Sequence, residues 1–334
     1  MQKVLITLPN SIAGTLILKG FARGFKSNGC FVFQKDLREL TVKDVQQFKP
    51  DIIFGYDYGF LFSDDEKLKN YIIENNGDYK LVHYFADEPK GKYACVNKPE
   101  LYEQFGKIDA YSFVWDRGFA KDLKNAQYLP LAVNYKVYRP LEGPHYDISF
   151  VGRPLTDKRQ KYLASLIKTF GSKVNIFSYE KHFLQSLDDM RDKQFLTDKE
   201  LDIYKSAYRG FLKTEEEIAT VYFNTTVNIN ITLQGESGLN YRVFEVLASR
   251  GFLLTDSMAD IERNFVVSKE LEVYDGVDDL IDKTDFYLKH PEIAQRIAVI
   301  GFANVTKSHN YTARVHKILK AICHSEGQRH DESQ

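Results

Sequence analysis

Several groups of residues in this 334-residue chain have the types and spacing to do chemistry. The first is Asp147-Ile148-Ser149-Phe150-Val151-Gly152-Arg153, an apolar run that ends in Gly-Arg. Glycine lets a backbone come close to a ligand. The planar guanidinium fork of Arg153 suits a phosphate. A plain surface turn fits the same residues. The second group is Thr232 to Gly251, which reads as a strand end, a Gly/Ser loop and a helix over Gly238–Ser249. Phe244, Leu247 and Ala248 recur at helical spacing as a sheet-facing side. Gly238, Arg242, Glu245 and Ser249 share the opposite side. A helix start offers free N–H groups and a partial positive charge, both suited to phosphate. Arg242 in the first turn opposes the helix dipole, which a nearby anion would explain. Glu245 can accept hydrogen bonds from ribose hydroxyls. A solvated Arg–Glu pair at i, i+3 is the competing reading.

The third group is Leu81-Val82-His83-Tyr84-Phe85-Ala86-Asp87-Glu88-Pro89. A strand runs into carboxylates there, so Asp87 can take a proton from an acceptor hydroxyl. His83 is the second candidate, with an unperturbed pKa of about 6.5. A polar loop with a core histidine fits as well. The fourth is the first βα loop, with Asn10 and Gly14. It is not a GxGxxG loop, so it does not support a dinucleotide cofactor. It fits either a sugar or phosphate contact or an ordinary helix cap. A fifth position, Tyr179 after the run Val174–Phe177, can stack on a nucleobase, and a core or surface tyrosine fits equally. There is no P-loop, HExxH or GxSxG motif. No DxD follows a strand, and Asp64-Asp65, Asp188-Asp189 and Asp278-Asp279 read as helix starts or solvated faces. No metal or other cofactor is expected.

The elements that must position these residues are short apolar runs alternating with helical patterns. The first series of runs is Val4–Leu8, Cys30–Phe33, Asp51–Phe54, Leu81–Phe85, Ala110–Val114 and Tyr128–Leu131, with helices such as Ile12–Ser27 and Asp64–Asn75 between them. Runs without strict alternation suit parallel strands buried on both faces. Tyr138–Pro144 carries two prolines and a glycine and reads as a linker. A second series follows: Asp147–Val151, Val174–Phe177, Val227–Ile231, Phe252–Thr255 and Leu271–Tyr274. Its helices are Lys158–Thr169, Lys199–Phe211, Glu215–Phe223 and Gly238–Ser249. Late helices span Val277–Lys289, Glu292–Lys307 and Thr312–Cys323. The fold class expected is therefore α/β, with two doubly wound domains and ligands beyond the strand C-termini.

Composition narrows the function classes. The formal net charge of -1 argues against a nucleic-acid partner. The cysteines Cys30, Cys95 and Cys323 are odd in number and form no CxxC pair, so neither a disulfide framework nor a zinc site is expected. No apolar run approaches the ~18 residues of a membrane span, and the N-terminus does not read as a signal peptide. Asn-x-Ser/Thr sites occur at Asn224, Asn230, Asn304 and Asn310. Asn230 falls in a buried run, where no glycan fits, which suits a cytoplasmic chain.

Taken together, Asp147–Arg153, Ser237–Glu245 and Gly251-Phe252-Leu253-Leu254-Thr255-Asp256 resemble the CgeB-like proteins of the glycosyltransferase type-1-like group. Tyr274–Leu280, Tyr287–Glu292 and His309–Arg314 fit the same pattern, and Phe85–Pro89 is similar to an Asp-Asp-Pro element of that group. The resemblance implies the GT-B fold, two Rossmann-like domains facing across a cleft. It implies an acceptor-side domain over 1–140, a nucleotide-sugar domain over 141–308, a helix 309–323 crossing back to the first domain, and a disordered tail 324–334. It implies sugar transfer from a nucleoside-diphosphate sugar to a glycan or lipid-linked hydroxyl acceptor in surface glycan synthesis. Membrane contact would be peripheral at most, at the inner face. By the same resemblance Gly152 and Arg153 lie near the diphosphate, the stretch Ser237, Gly238, Leu239, Asn240 and Arg242 grips phosphates or sugar, and Glu245 meets the ribose. Many retaining members carry two glutamates with seven residues between them. Here Ser237 stands at the first position, beside Glu236, so neither retention nor inversion follows. A catalytically silent GT-B-like binding protein and a nucleotide-sugar epimerase or phosphorylase are the alternatives.

Overall fold

The structure is a computed structural model. It describes residues 1–90, 99–233 and 237–331, with side chains to residue 323. Cys95, Glu236 and the end of the tail lie outside the described residues. The elements, in order, are β1 Lys3–Leu8, α1 Ile12–Ser27, β2 Phe31–Asp36, α2 Val42–Phe48, β3 Ile52–Tyr56, α3 Glu66–Glu74, β4 Lys80–Phe85, α4 Pro99–Gly106, β5 Ala110–Val114 and β6 Ala126–Tyr128. There follow β7 Tyr146–Val151, α5 Asp157–Phe170, β8 Val174–Phe177, α6 Glu180–Asp192, α7 Asp198–Ser206, α8 Glu215–Phe223, β9 Thr225–Asn230, α9 Tyr241–Ala248, β10 Leu253–Asp256, α10 Ile261–Asn264, β11 Glu272–Tyr274, α11 Gly276–Lys289, α12 Pro291–Ser308 and α13 Tyr311–Asp331. Many helices begin where a Ser, Thr or Asp side chain accepts a first-turn N–H: Ser11 for α1, Thr41 for α2, Asp65 for α3, Thr156 for α5, Thr197 for α7 and Thr214 for α8.

The chain divides into two compact units. One comprises Met1–Ala132, the described residues of 234–239, and the chain from His309 on; the other comprises Val133–Leu233 and Asn240–Ser308. In the first unit six strands pair in the order β2-β1-β3-β4-β5-β6, all parallel. Alternate residues face opposite sides. Leu5, Ile53, Leu81 and Phe85 pack with Val45 of α2, Leu68 and Ile72 of α3, and Leu101 and Phe105 of α4. Phe54 and Tyr84 meet Phe21 of α1 at ring distances of 4.9 and 4.8 Å. Burial on both faces is why these strands read as continuous apolar runs.

In the second unit five strands pair in the order β11-β10-β9-β7-β8, again all parallel. Ile148, Phe150, Val174, Ile176, Val227 and Ile229 form one apolar face with α5, α6 and α7. The other face carries a buried polar row. Ser149 Oγ donates to Asn228 Oδ1 at 2.9 Å, and Asn230 Nδ2 donates to Thr255 Oγ1 at 2.9 Å.

Four expectations shift. The expected linker is in part core: Tyr138 is buried and donates to Glu245, so the second unit begins at Val133. The helix expected over Lys199–Phe211 stops at Ser206, because Tyr208 and Arg209 run beside β8 and the Arg209 N–H donates to the Ile176 carbonyl. The helix expected from Gly238 begins three residues later, at Tyr241. The last helix runs eight residues past Cys323 to Asp331, since no proline interrupts Glu326, Gln328 and Arg329.

α13 lies on α1 within the first unit, with Tyr311 against Gly20 and Gly24. A Cβ on Gly24 would sit 2.5 Å from the Tyr311 carbonyl oxygen, so the two backbones approach closely. Gly24→Ala is expected to force them apart and cost the first unit about 1–3 kcal/mol. Urea unfolding measures it, and an unchanged midpoint would show that the close approach is not required.

Candidate functional site

At the C-terminal end of β7 the backbone turns at Gly152 with φ +155°, a conformation that L side chains rarely adopt. The Arg242 guanidinium packs on that turn. A Cβ on Gly152 would lie 2.6 Å from its Nη2. Arg242 Nε also donates to the Val151 carbonyl. Two motifs ninety residues apart in sequence therefore meet, and glycine is required where they do. Arg242 projects from the first turn of α9, whose N-cap Asn240 gives that turn no side-chain cap. Asn240 instead donates to Asn230 Oδ1 at 3.0 Å, and its own Oδ1 is buried without a partner.

Two further cations lie at these strand ends. Arg159 is only 3% exposed. Its Nε and Nη2 donate to the Ile231 carbonyl at 3.0 and 2.8 Å, and its Nη1 to the Arg153 carbonyl at 2.8 Å. Burial, followed by the neighbouring Arg242 charge, pushes its pKa down to about 9. Lys158 Nζ pairs with Asp256 at 2.6 Å, and Asp256 also accepts from the Thr232 hydroxyl and N–H. Arg153 itself is exposed. Glu245, partly buried on α9, accepts from Tyr138 at 3.0 Å. Burial raises its pKa, opposed by the Arg242 charge and the Tyr138 hydrogen bond. One of its oxygens is thus already engaged within the protein.

After β8 the Tyr179 ring is exposed and stacks on Phe211 with centroids 3.8 Å apart and 19° between planes. Ser178 Oγ and His182 Nδ1 beside it are buried without partners. The second unit therefore presents Gly152, Arg153, Tyr179, Asn240, Arg242 and Glu245 from loops and helix starts that follow its strands.

Three expected members of the grip belong elsewhere. Ser237, Gly238 and Leu239 are buried in the first unit. The Ser237 and Gly238 N–H groups donate to Asp116 Oδ2 at 2.9 and 2.8 Å, and Ser237 Oγ donates to Asp116 Oδ1 at 2.9 Å. Gly238 also packs on Trp115, where a Cβ would lie 2.8 Å from the ring. These amides are spent on a carboxylate of the protein, so they do not serve a phosphate. Asp116, fully buried, was missed by the sequence reading. The signal was present, since Trp115-Asp116 follows β5 directly, at the same strand-end position that singled out Asp87. Burial raises the Asp116 pKa, and the hydrogen bonds from Gly238, Ser237 and Gly118 outweigh it, leaving the carboxyl below its usual range. Lys158 and Arg159 were likewise read only as the start of a helix.

In the first unit His83 is 1% exposed. Its Nδ1 donates to the Asp57 carbonyl at 2.8 Å, its Nε2 is buried without a partner, and Phe105 meets the ring edge-on at 4.9 Å. Burial pushes its pKa down to about 4. Gly59, at φ +53°, leaves room for the ring. His83 is thus a core histidine and not a base open to an acceptor. Asp87 is partly buried at the end of β4, where it accepts from the Tyr56 hydroxyl at 3.0 Å. Gly14 donates its N–H to the Ser11 cap and fits between Pro9 and the Tyr56 ring, so its smallness serves packing. Asn10 is exposed.

Comparison with known proteins defines the class first. The two parallel sheets with their helices are the GT-B fold of glycosyltransferases. A glycosyltransferase from Rickettsia africae ESF-5 superposes with a TM-score of 0.65 at 10% identity, covering 96% of this chain and 97% of that one. Anabaena HepE in complex with UDP-glucose gives 0.64 at 9% identity, covering 97% and 100%. More particularly, residues 159–320 match the Glycosyl transferase-like family. Spore protein CgeB of Bacillus subtilis (strain 168) is 21% identical over 207 residues, 60% of this chain, and the match spans 62% of that relative's length. The resemblance read from Ser237–Glu245 and its companion motifs is thereby borne out as a likeness to these proteins and in the fold.

Removal of the Asp116 acceptor tests the first unit's loop clamp. Asp116→Ala should destabilise the fold by about 2–4 kcal/mol, because it strands two buried N–H groups, while Asp116→Asn keeps one acceptor oxygen and should lose less. Equal stability of the alanine variant and the parent in urea would contradict the clamp.

Proposed function

We propose that this chain is a metal-independent glycosyltransferase. It moves a sugar from a nucleoside-diphosphate sugar to a hydroxyl of a glycan or lipid-linked acceptor, in surface glycan synthesis. The observation that carries this reading is the seat of Arg242 on Gly152, at the end of β7 and beside an uncapped helix start. A departing nucleoside diphosphate gains negative charge, and fixed cations and N–H groups placed where that charge develops lower the barrier. Arg242 and Arg153 are the fork donors, Lys158 a further cation, and the first turn of α9 the dipole. Buried Arg159 holds the Gly152-Arg153 turn to the end of β9. This donor set carries enough positive charge to do the work that a divalent ion does elsewhere.

The fold and family matches support the same class, and HepE's complex with UDP-glucose supports a nucleotide-sugar donor. Tyr179, with one ring face on Phe211, offers a stacking surface for the base. Asp87 is the base of this proposal, since its carboxylate lies at a strand end and His83 is sealed in the core. A cytoplasmic setting belongs to the same reading, because Asn230, the Asn of a sequon, is buried and bonded to Asn240 and Thr255.

A thermal-shift panel of nucleoside diphosphates should find one clear stabiliser, because a ligand that binds only the native state raises apparent stability. With the donor sugar so identified, Arg242→Ala should lower turnover by about 100-fold or more while the chain stays folded. Near-normal transfer by that variant would remove Arg242 from the diphosphate. No response to any diphosphate would remove the donor site.

A further inference from the structure

α1 carries an exposed stripe that its packing does not use. Ile12 is 84% exposed and Leu16 46% exposed, and Lys19, Arg23 and Lys26 are exposed as well. At 3.6 residues per turn these five positions fall within about 80° of one another. The opposite side of the helix is occupied: Phe21 and Phe25 meet the sheet, and Gly20 and Gly24 meet α13. α13, packed on α1, adds exposed His316, Lys317 and Lys320. The sequence holds no Asp or Glu from Ile12 to Cys30 or from Tyr311 to Cys323, although the whole chain has a formal net charge of -1. None of these exposed basic residues is in an ion pair among the described residues. The unit's charge is thus sorted, with cations gathered on two helices that abut.

We infer that this face of α1 docks on an anionic lipid bilayer, Ile12 and Leu16 entering the interface and Lys19, Arg23 and Lys26 lying over the headgroups, with the nearby cations of α13 adding to the positive potential. Exposed aliphatic residues at one end of a basic helical stripe fit a surface with an apolar layer beneath an anionic one. Each basic residue near such a surface contributes about fivefold in affinity. A nucleic acid would meet the charge but offers nothing to Ile12 and Leu16. The inference is independent of the transferase reading, because the stripe includes none of the residues assigned to the donor.

The test is co-sedimentation of the full chain with vesicles. It should bind phosphatidylcholine vesicles containing phosphatidylglycerol and not pure phosphatidylcholine. Lys19→Glu with Arg23→Glu should weaken binding by at least about tenfold, and Ile12→Ser with Leu16→Ser should weaken it too, with circular dichroism unchanged in both. Absence of binding to anionic vesicles, or equal binding by the folded charge-reversed variant, overturns the inference. Binding indifferent to Ile12 and Leu16, or retention on RNA or heparin but not on vesicles, assigns the face to some other polyanion and overturns it as well.

Discussion

The contact on which the second unit's site depends is a guanidinium resting on a backbone turn. Arg242 donates to the Val151 carbonyl and lies where any side chain at position 152 would stand. That single contact sets three things. Together with the φ of +155° it favours glycine at the end of β7, it engages the guanidinium on a backbone carbonyl, and it ties the start of α9 to the strand beside β9. A lysine there would keep the charge but lose the planar fork that lets one side chain grip a carbonyl and still present donors. The adjoining polar network follows the same logic. Asn240 bonds Asn230, Asn230 bonds Thr255, and Asp256 gathers Thr232 and Lys158, so the ends of β9 and β10 are held by side chains where the ladder stops.

The two units use their strand ends in opposite ways. In the second, Arg153, Arg159 and Arg242 gather at the ends of β7 and β9, with the start of α9 left without a side-chain cap. In the first, carboxylates follow β3, β4 and β5, and three of them have named partners. Asp57 accepts from the Ala86 N–H, Asp87 accepts from Tyr56, and Asp116 takes the N–H groups of Ser237 and Gly238. Asp116 is fully buried and accepts four hydrogen bonds, whereas Asp87 is only half-buried at its strand end, which is why the proposed base is Asp87.

The strands were legible because burial on both faces leaves an unbroken apolar run, as in Ile52–Tyr56, where every residue is buried. That Gly152-Arg153 and the stretch holding Arg242 belong to one site was legible because each follows a strand, but the seat of Arg242 on Gly152 was not. What escaped was the choice of partner. Nothing local in Ser237-Gly238 says that their amides will meet a carboxylate 121 and 122 positions earlier in the chain, so a glycine before a helix read as a phosphate grip. His83 read as a possible base because its strand ends in carboxylates, but the glycines at 55 and 59 that seal it lie on another strand and the turn after it. Tyr138 read as linker because prolines surround it, while its hydroxyl contact with Glu245 spans 107 residues. In each case the residue type and the strand position were readable, and the tertiary partner was not.

Arg159 carries the argument one step further. A charged group taken out of water is costly unless an opposite charge accompanies it. Arg159 is buried with carbonyl oxygens as its hydrogen-bond partners and with the Arg242 charge near enough to depress its pKa. Asp256 partly offsets this, yet its hydrogen bonds run to Thr232 and Lys158 rather than to Arg159. Stability alone would favour an apolar residue under that turn. A guanidinium there makes sense where the loop must be fixed from below and where the added positive charge is useful above. The proposed diphosphate would bring an anion beside these two cations, where Coulomb attraction favours it.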